Sequence, residues 1–488
     1  MVYQGIKGTH DLYGAEADAY TYIQNVFSAV AELYGYRKIE TPILEYTEVF
    51  DRSTGESSDV VRKEMYTFLD KGDRSLTLRP EGTAGVIRSI VEHKLYATGD
   101  LPIKAFYVGP VFRYERPQLG RYRQFIQAGV EAVGVDSARL DAECICLAMK
   151  VLAYLGFENL KVKVNTLGDE TSRKNYKEAL RSFFASKIDS MCEDCKQRLL
   201  LNPMRILDCK VKEDQEIASL APKMKDYLSD EASKRFYQTL SILADQEIDY
   251  EIDDSLVRGL DYYGQIVFEV HAMSKEGKDY GALLGGGHYD GMMSNFNGPK
   301  ENDSGVGFAM GVERLYSLMK DNGMLENLEH GVDLYLMPIG EEVMDDCYSL
   351  AESLRDAGYS VEMPFVKGKL GTLFKKAVRA GAKFALIAGE DDLNNGAVQV
   401  KNLATQEQKS VLVEDLQDYL DEQFESLEAH SSCSCGHDHD EGHCSCGHDH
   451  DEGHCCCGEH EEEGHCCCGH HREDQEEGGH CCCQKDEK

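Results

Sequence analysis

FRYERPQLGRYRQF, residues Phe112 to Phe125, sets four arginines, one glutamate and a closing phenylalanine around a Pro/Gly loop. The segments on either side, IKAFYVGPVFRYE and RQFIQAGVEAVG, alternate or run apolar in the manner of strands, so the reading is strand, loop, strand. Arg113 and Glu115 are two residues apart and would share one strand face. Arg116, Arg121 and Arg123 follow on or beside the loop. A guanidinium offers a planar fork that matches phosphate, and an aromatic ring such as Phe125 can stack on a base. A solvated charged hairpin does not call for this order of arginine, acid and aromatic.

The surrounding chain makes that basic string conspicuous. It has 488 residues, a length that suggests about three domains, and a formal net charge of −35. Such a surface repels phosphate at long range, which argues against a diffuse grip on DNA or on an anionic membrane. Any nucleotide or nucleic-acid site has to be local and concentrated. No stretch approaches the ~18 apolar residues of a membrane span. The opening MVYQGIKGTHDLYGAEADAY has no apolar signal core, so the expected compartment is the cytoplasm.

Working outward, LKVKVNTLG, DYEIDDSLVRGLDYY, QIVFEVHAM and GVGFAMG also read as strands. Their long separations indicate one antiparallel sheet with large insertions, not repeated βαβ units. AEADAYTYIQNVFSAVAELYG carries Ile23, Val26, Phe27, Val30 and Leu33 on one helical face. The expectation is an α+β catalytic domain over 1–325, with helices flanking the sheet and a helix-rich insertion at about 168–245. Residues 331–426 alternate short strands with amphipathic helices, as an α/β unit with a mixed, largely parallel sheet would. From His430 to the end the chain repeats CSCGHDHDEGH and its variants, with 13 cysteines, 12 histidines, 16 acids and no aliphatic residue. A segment of that composition cannot bury a core and is expected to be disordered without a ligand.

Four further strings carry chemistry. SLTLRPEGT puts Glu81 between Pro80 and Gly82, on a tight turn after a strand. LVRGLDYY, Leu256 to Tyr263, has an arginine among apolar residues beside two tyrosines, costly unless it meets an anion. LGGGHYDG, Leu284 to Gly291, permits close backbone approach, although a simple bend would also use its glycines. GVGFAMGVERL, Gly305 to Leu315, is a small-residue strand running into a helix with Arg314 at the junction.

Together these strings resemble the histidyl-tRNA synthetases, a family of class II aminoacyl-tRNA synthetases. RYERPQLGRYRQF resembles class II motif 2, GVGFAMGVERL motif 3, and YRKIETPILEYTEVF, with Pro42, motif 1. LVRGLDYY and GGGHYDG are similar to the two signatures peculiar to the histidine enzymes, with His288 where the family usually has an arginine. The likeness covers roughly residues 1–425. It implies activation of L-histidine by ATP to histidyl-adenylate, then transfer to the 3′ end of tRNA(His). By the same resemblance Arg113 and Arg258 would be the catalytic pair on the α-phosphate. Arg314 would hold the γ-phosphate, while Glu115, Arg121 and Phe125 would frame ATP. Glu81, Thr83 and Gln127 would take the α-ammonium; Glu131, Tyr262 and Tyr263 would line the imidazole pocket. Mg²⁺ would accompany ATP, and motif 1 implies a homodimer.

Two other readings fit less of the chain. The synthetase-like regulatory subunit of ATP phosphoribosyltransferase shares this fold but typically lacks the C-terminal domain and erodes the arginines. Here Arg113, Arg258 and Arg314 are all present, as are residues 331–425. A metal-storage protein would account for the tail alone. In the C-terminal unit, VKGKLGTLFKKAVRAGAK holds six basic residues and no acid, and Lys376, Arg379 and Lys383 have helical spacing, which suits an RNA backbone. In the tail, Cys433, Cys435, His437, His439, Cys444, Cys446, His448 and His450 combine soft and borderline ligands that suit Zn²⁺ or Ni²⁺. Cys192, Cys195 and Cys209 in the insertion have the spacing of a metal site that lacks its fourth ligand.

Overall fold

The computed structural model describes residues 3–431 apart from short breaks at 55–59, 118–119, 159, 261, 327 and 329–330. The eight tail residues named above as metal ligands lie outside the described residues. The chain divides into two compact units at Glu329/His330.

The first unit begins with α1 (Ala15–Leu33), β1 (Arg37–Lys38), β2 (Leu44–Tyr46), α2 (Thr47–Thr54), β3 (Tyr66–Leu69), β4 (Ser75–Leu78) and α3 (Thr83–Glu92). The long hairpin β5 (Ile103–Phe112) and β6 (Gln124–Val133) follows, then α4 (Ala138–Tyr154) and β7 (Val162–Thr166). The inserted helices are α5 (Glu170–Ala185), α6 (Glu193–Leu201), α7 (Lys212–Ser219) and α8 (Asp230–Asp245). The unit closes with β8 (Tyr250–Ile252), β9 (Tyr263–Met273), β10 (Asp279–Asp290), α9 (Met292–Asn295), β11 (Ser304–Gly311) and α10 (Val312–Asp321).

Eight of these strands form one sheet in the order β1-β5-β6-β11-β10-β9-β7-β8. The edge pairs β1/β5 and β7/β8 are parallel and the rest antiparallel. One face is packed by α1, α4, α8 and α10. Ile23, Phe27 and Val30 of α1 meet Ala128, Val130 and Ala132 of β6 and Val306, Phe308 and Met310 of β11 in this core. Two expectations are corrected. The stretch around Arg258 lies in the loop between β8 and β9, because Asp253 accepts the Ser255 amide in a local turn that ends the strand. Arg113 and Glu115 lie just past the end of β5 instead of on it. Gly285–Gly287 form the middle of β10, paired on both sides, with a shift of register against β9 between Gly287 and His288.

The insertion has two parts. Residues between Leu167 and Tyr227 gather into their own core around Tyr176, Leu180, Phe184 and Cys195, shared with Leu256, Val257 and Val267. Phe236, Leu240 and Leu243 of α8 instead join the main core, so α8 packs with α4 under the sheet.

The second unit contains β12 (Leu334–Ile339), α11 (Met344–Asp356), β13 (Val361–Glu362), α12 (Leu370–Arg379), β14 (Phe384–Gly389), α13 (Glu390–Asn394), β15 (Ala397–Asn402), β16 (Gln408–Leu412) and α14 (Leu416–Ser431). Its sheet runs β13-β12-β14-β15-β16. The sheet is mixed, as expected, but only the β12 pairings to β13 and β14 are parallel; β15 and β16 add antiparallel pairings, so parallel pairing does not predominate. Alternation on β12 sends Leu334 and Leu336 to one face and Tyr335 and Met337 to the other, and both faces are covered.

One polar clamp ties the first unit's helices to its sheet. His288 of β10 is 1% exposed. Its Nδ1 faces Asp141 Oδ1 of α4 at 2.9 Å and Arg235 of α8 at 3.2 Å; its Nε2 faces Asp290 at 3.1 Å and the Ser304 hydroxyl at 3.0 Å. Burial works against the imidazolium, but Asp141 and Asp290 outweigh it and push the imidazole up to about 9. A raised native value means the clamp's stabilisation is whole below the unfolded value near 6.5 and is lost as pH rises through about 9. The loss amounts to about 3 kcal/mol. Urea unfolding between pH 6.5 and 9.5 should show that decline, and His288→Gln should flatten this part of the profile.

Candidate active site

The sheet's second face is built to be nearly bare where the core-side face is full. Along β11, Val306, Phe308 and Met310 point into the core, so Gly305, Gly307, Ala309 and Gly311 line the opposite side. The register sets Gly129, Ala309, Gly285 and Glu269 in one row across β6, β11, β10 and β9. The next row holds Glu131, Gly307 and Gly287. A Cβ on Gly307 would strike the Glu131 carboxylate, and one on Gly285 would strike the Arg258 guanidinium. These glycines are needed for close approach and not for turning. Above them lies a cavity of about 490 Å³.

All twelve residues expected in the site from the sequence line this one cavity: Glu81, Thr83, Arg113, Glu115, Arg121, Phe125, Gln127, Glu131, Arg258, Tyr262, Tyr263 and Arg314. Strand alternation accounts for three of them, since Phe125, Gln127 and Glu131 fall on the face of β6 opposite Ala128, Val130 and Ala132.

Glu131 occupies the floor of one end. It is 1% exposed, and the Tyr289 hydroxyl donates to its Oε2 at 2.7 Å. Burial pushes its carboxyl up to about 8, with Glu81 adding to the rise, which favours the protonated form near neutral pH. Tyr262 packs against Tyr263 at 4.5 Å and against Tyr289 at 5.7 Å between ring centres. Glu81 does more than point into the cavity. Its two oxygens accept the amides of Thr83 and Ala84 at 2.7 and 2.8 Å and so cap α3. Gln127 accepts the Gly82 amide at 2.8 Å, which leaves its NH₂ group for the cavity.

The other end is cationic. Arg113 donates to the Pro80 carbonyl at 2.8 Å and lies 5.4 Å from the centre of the Phe125 ring. Arg121 contacts Glu115 at 3.3 Å. Arg314, in the first turn of α10, donates to the Ala282 carbonyl, and burial plus the Arg121 cation pull it below the usual arginine range. Arg258 reaches in from the loop before β9 and pairs with Glu269, which, with the neighbouring tyrosines, keeps the guanidinium charged despite burial. These four are among six arginines that line the cavity, in a chain of net charge −35. Such a cluster is stable when it faces an anion.

Some of the expected basic positions go elsewhere. Arg123 stacks over Tyr114 at 4.1 Å, and Arg116 is exposed. In the second unit, Lys376 and Arg379 are exposed on α12, but Lys383 lies beyond the helix end. It pairs with Asp333 at 3.7 Å and stacks 5.2 Å from the Phe424 ring centre, so it does not share the α12 face. Sequence reasoning also left out Glu269 and Tyr289 as site residues. An acid within the apolar run QIVFEVHAM was a usable signal for the first. Arg198, Arg205, Asp208 and Lys210 of the insertion reach the cavity too, and no local pattern marks them.

Comparison with known proteins agrees with this geometry. A family model described as histidyl-tRNA synthetase matches residues 8–315, and one described as an anticodon binding domain matches 333–423. The histidine–tRNA ligase of Bacillus licheniformis is 44% identical over 420 residues, covering 86% of this chain and 99% of that protein. The Bacillus subtilis ligase is 43% identical over 415 residues, covering 85% and 97%. The crystal structure of apo S. aureus histidyl-tRNA synthetase superposes with a TM-score of 0.73 at 36% identity, covering 86% of this chain and all of that one. A glycine-floored cavity carrying motif 2, motif 3 and both histidine signatures, matched at this identity, makes the chain a member of the histidyl-tRNA synthetase family.

Proposed function

We propose that this histidine–tRNA ligase uses the single cavity for both reactants, with the roles of its residues divided between the two ends. The carrying observation is that the buried Glu131–Tyr289 pair and the four arginines line one space. The glutamate end takes histidine. An imidazole has one donor and one acceptor nitrogen, and a carboxyl group together with tyrosine hydroxyls can satisfy both, which an apolar pocket could not. Glu81, Thr83 and Gln127 take the α-ammonium. The substrate carboxylate then points toward the arginines.

In the first step that carboxylate attacks the α-phosphorus of ATP, an anhydride bond forms, and pyrophosphate leaves. The chain supplies no covalent chemistry here; it aligns two anions and neutralises the charge that builds up. Arg113 approaches from the β5–β6 side and Arg258 from the β9–β10 side, so the α-phosphate is held between them. Arg314 takes the γ-phosphate, with Glu115, Arg121 and Phe125 framing the nucleotide. ATP would carry Mg²⁺ into the site. Glu115 and Glu269, the carboxylates beside the arginines, suit an oxygen-seeking ion, and its charge would offset that of the phosphates. In the second step the terminal ribose hydroxyl of the tRNA attacks the acyl carbon, and AMP leaves.

Four further assignments accompany this reading. The exposed face of α12 with Lys376 and Arg379 meets the tRNA backbone; Lys383 contributes charge from beside it. Motif 1 builds a homodimer, in keeping with the exposed apolar residues Ile43, Leu44, Tyr46, Phe68 and Leu69 on β2, β3 and their approach. The compartment is the cytoplasm; among the described residues no helix is long and apolar enough to cross a membrane. The Cys/His-rich tail binds Zn²⁺ or Ni²⁺ separately from catalysis.

Arg258→Ala should lower histidine-dependent pyrophosphate exchange by about 10²–10³-fold at saturating histidine. Because Glu269 would lose its partner, Arg258→Ala/Glu269→Gln serves as the folding control; near-normal exchange in either variant would refute the role of Arg258. Reversing Lys376 and Arg379 to Glu should raise the KM for tRNA and lower the salt slope of binding by about two, while exchange stays intact. A parallel fall in exchange would argue against a tRNA contact. A chain ending at Ala429 should charge tRNA at the full-length rate with fewer bound metal ions; outright loss of charging would tie the tail to catalysis.

A further inference from the structure

The insertion contains a cluster that the ligase reaction does not use. Cys192 stands at the N-cap of α6 and Cys195 lies in that helix's first turn. Cys209 follows the 3-10 turn Pro203–Asp208, and Asp214 sits in the first turn of α7. One ligand atom from each, three Sγ and a carboxylate oxygen, all lie within 4.8 Å of one another. Asp214 is the fourth ligand missing from the linear pattern. It comes from the next helix, so only folding brings it to the thiols.

The geometry suits a tetrahedral ion. Two sulfurs bound at ~2.3 Å to one tetrahedral zinc stand about 3.8 Å apart. Cys192 Sγ and Cys209 Sγ are separated by 3.8 Å, and none of the three cysteines is in a disulfide. Asp214 Oδ2 is 3.2 Å from Cys209 Sγ. The outer contacts are those of an oriented metal site. The Cys192 amide donates to Asp214 Oδ2 at 3.1 Å, and the Val211 amide donates to Cys209 Sγ at 3.5 Å. Asp214 is 1% exposed, yet among the described residues it forms no ion pair. A carboxylate so deeply placed calls for a cation, and its other neighbours are three thiols. A thiolate-rich tetrahedral set selects Zn²⁺ over hard ions such as Mg²⁺ or Ca²⁺.

The cluster also has a mechanical consequence. Between Cys195 and Cys209 the chain carries Arg198 and Arg205, which line the active-site cavity. Arg198 donates to the Arg205 carbonyl at 3.2 Å, and Arg205 donates to the carbonyl of Gly259, next to Arg258. Closing the four ligands on one ion would pin both ends of this segment against the Arg258 loop. We propose that Cys192, Cys195, Cys209 and Asp214 bind one structural Zn²⁺ that holds the Arg198–Lys210 segment at the edge of the active site.

The test has to exclude the tail's own thiols, so it uses the full chain with the 13 tail cysteines replaced by serine. After competition with a chelator, one zinc per chain should remain, and Cys195→Ser in that background should lose it. Asp214→Asn should weaken retention at least tenfold while the protein still folds. Cobalt in place of zinc should give the thiolate charge-transfer band and the intense visible absorption of a tetrahedral site. That spectrum is recorded on the unaltered cluster, so it decides the matter even if Cys195→Ser fails to fold. Absence of retained zinc together with absence of the charge-transfer band would overturn the proposal. So would metal retention and a cobalt spectrum that Cys195→Ser and Asp214→Asn leave unchanged.

Discussion

The central strands of the first unit have to be fully dressed on one face and almost naked on the other. Val306, Phe308 and Met310 close the core under β11, while the glycines and alanine between them leave the space in which ligands fit. The second face is packed only beside the bare patch, by α3 and α9 against Ala105, Tyr107 and Tyr289 and by the insertion against Val267. The cost of the bare side is offset by the helices packed beneath, and by rows of residues that lie flat across it, such as Glu131 over Gly307 and Arg258 over Gly285. Any side chain added to those glycines would displace a charged group, so backbone composition and site chemistry are set by the same constraint.

Charge is partitioned along similar lines. The chain is strongly acidic overall, but the guanidinium groups of Arg113, Arg121, Arg258 and Arg314 converge on one cavity. Each is oriented by a carbonyl, a carboxylate or an aromatic face and is not left to find its own conformer. Preorganisation of this sort is what makes electrostatic stabilisation effective, because the dipoles need not reorient as charge develops. The opposite end of the cavity uses burial instead, and the raised Glu131 carboxyl results. His288 shows a third solution, a buried cation neutralised by Asp141 and Asp290, and it serves cohesion between helices and sheet instead of ligand contact.

Much of the site was legible in the chain because its residues sit in short strings with characteristic order. The strings could be assigned to one cavity only through their family resemblance, not through spacing. Periodicity was reliable where a strand has one buried face, as on β6. It failed at LVRGLDYY, where Leu256 and Val257 are buried by the insertion's core and mimic a strand's apolar run. At Gly285–Gly287 the glycines serve the close approach that their run allows, inside a strand paired with β9 and β11 on both sides. In the second unit, helical spacing carried Lys383 onto the α12 face, but the helix ends at Arg379 and Asp333 draws the lysine away.

By itself, the amino-acid sequence determined the class of the fold and, through its family resemblance, named twelve residues that line one cavity, because signature strings are properties of contiguous chain. Tertiary structure alone decided which groups meet across the chain. Glu269 became the partner of Arg258, Tyr289 the partner of Glu131, and Asp214 the fourth member of a cysteine cluster, in each case through packing of separate elements. The protonation of Glu131 and His288 belongs to the same category. Both values depend on how much water is removed and which charges replace it, and no residue carries that information until the sheet and helices have closed around it.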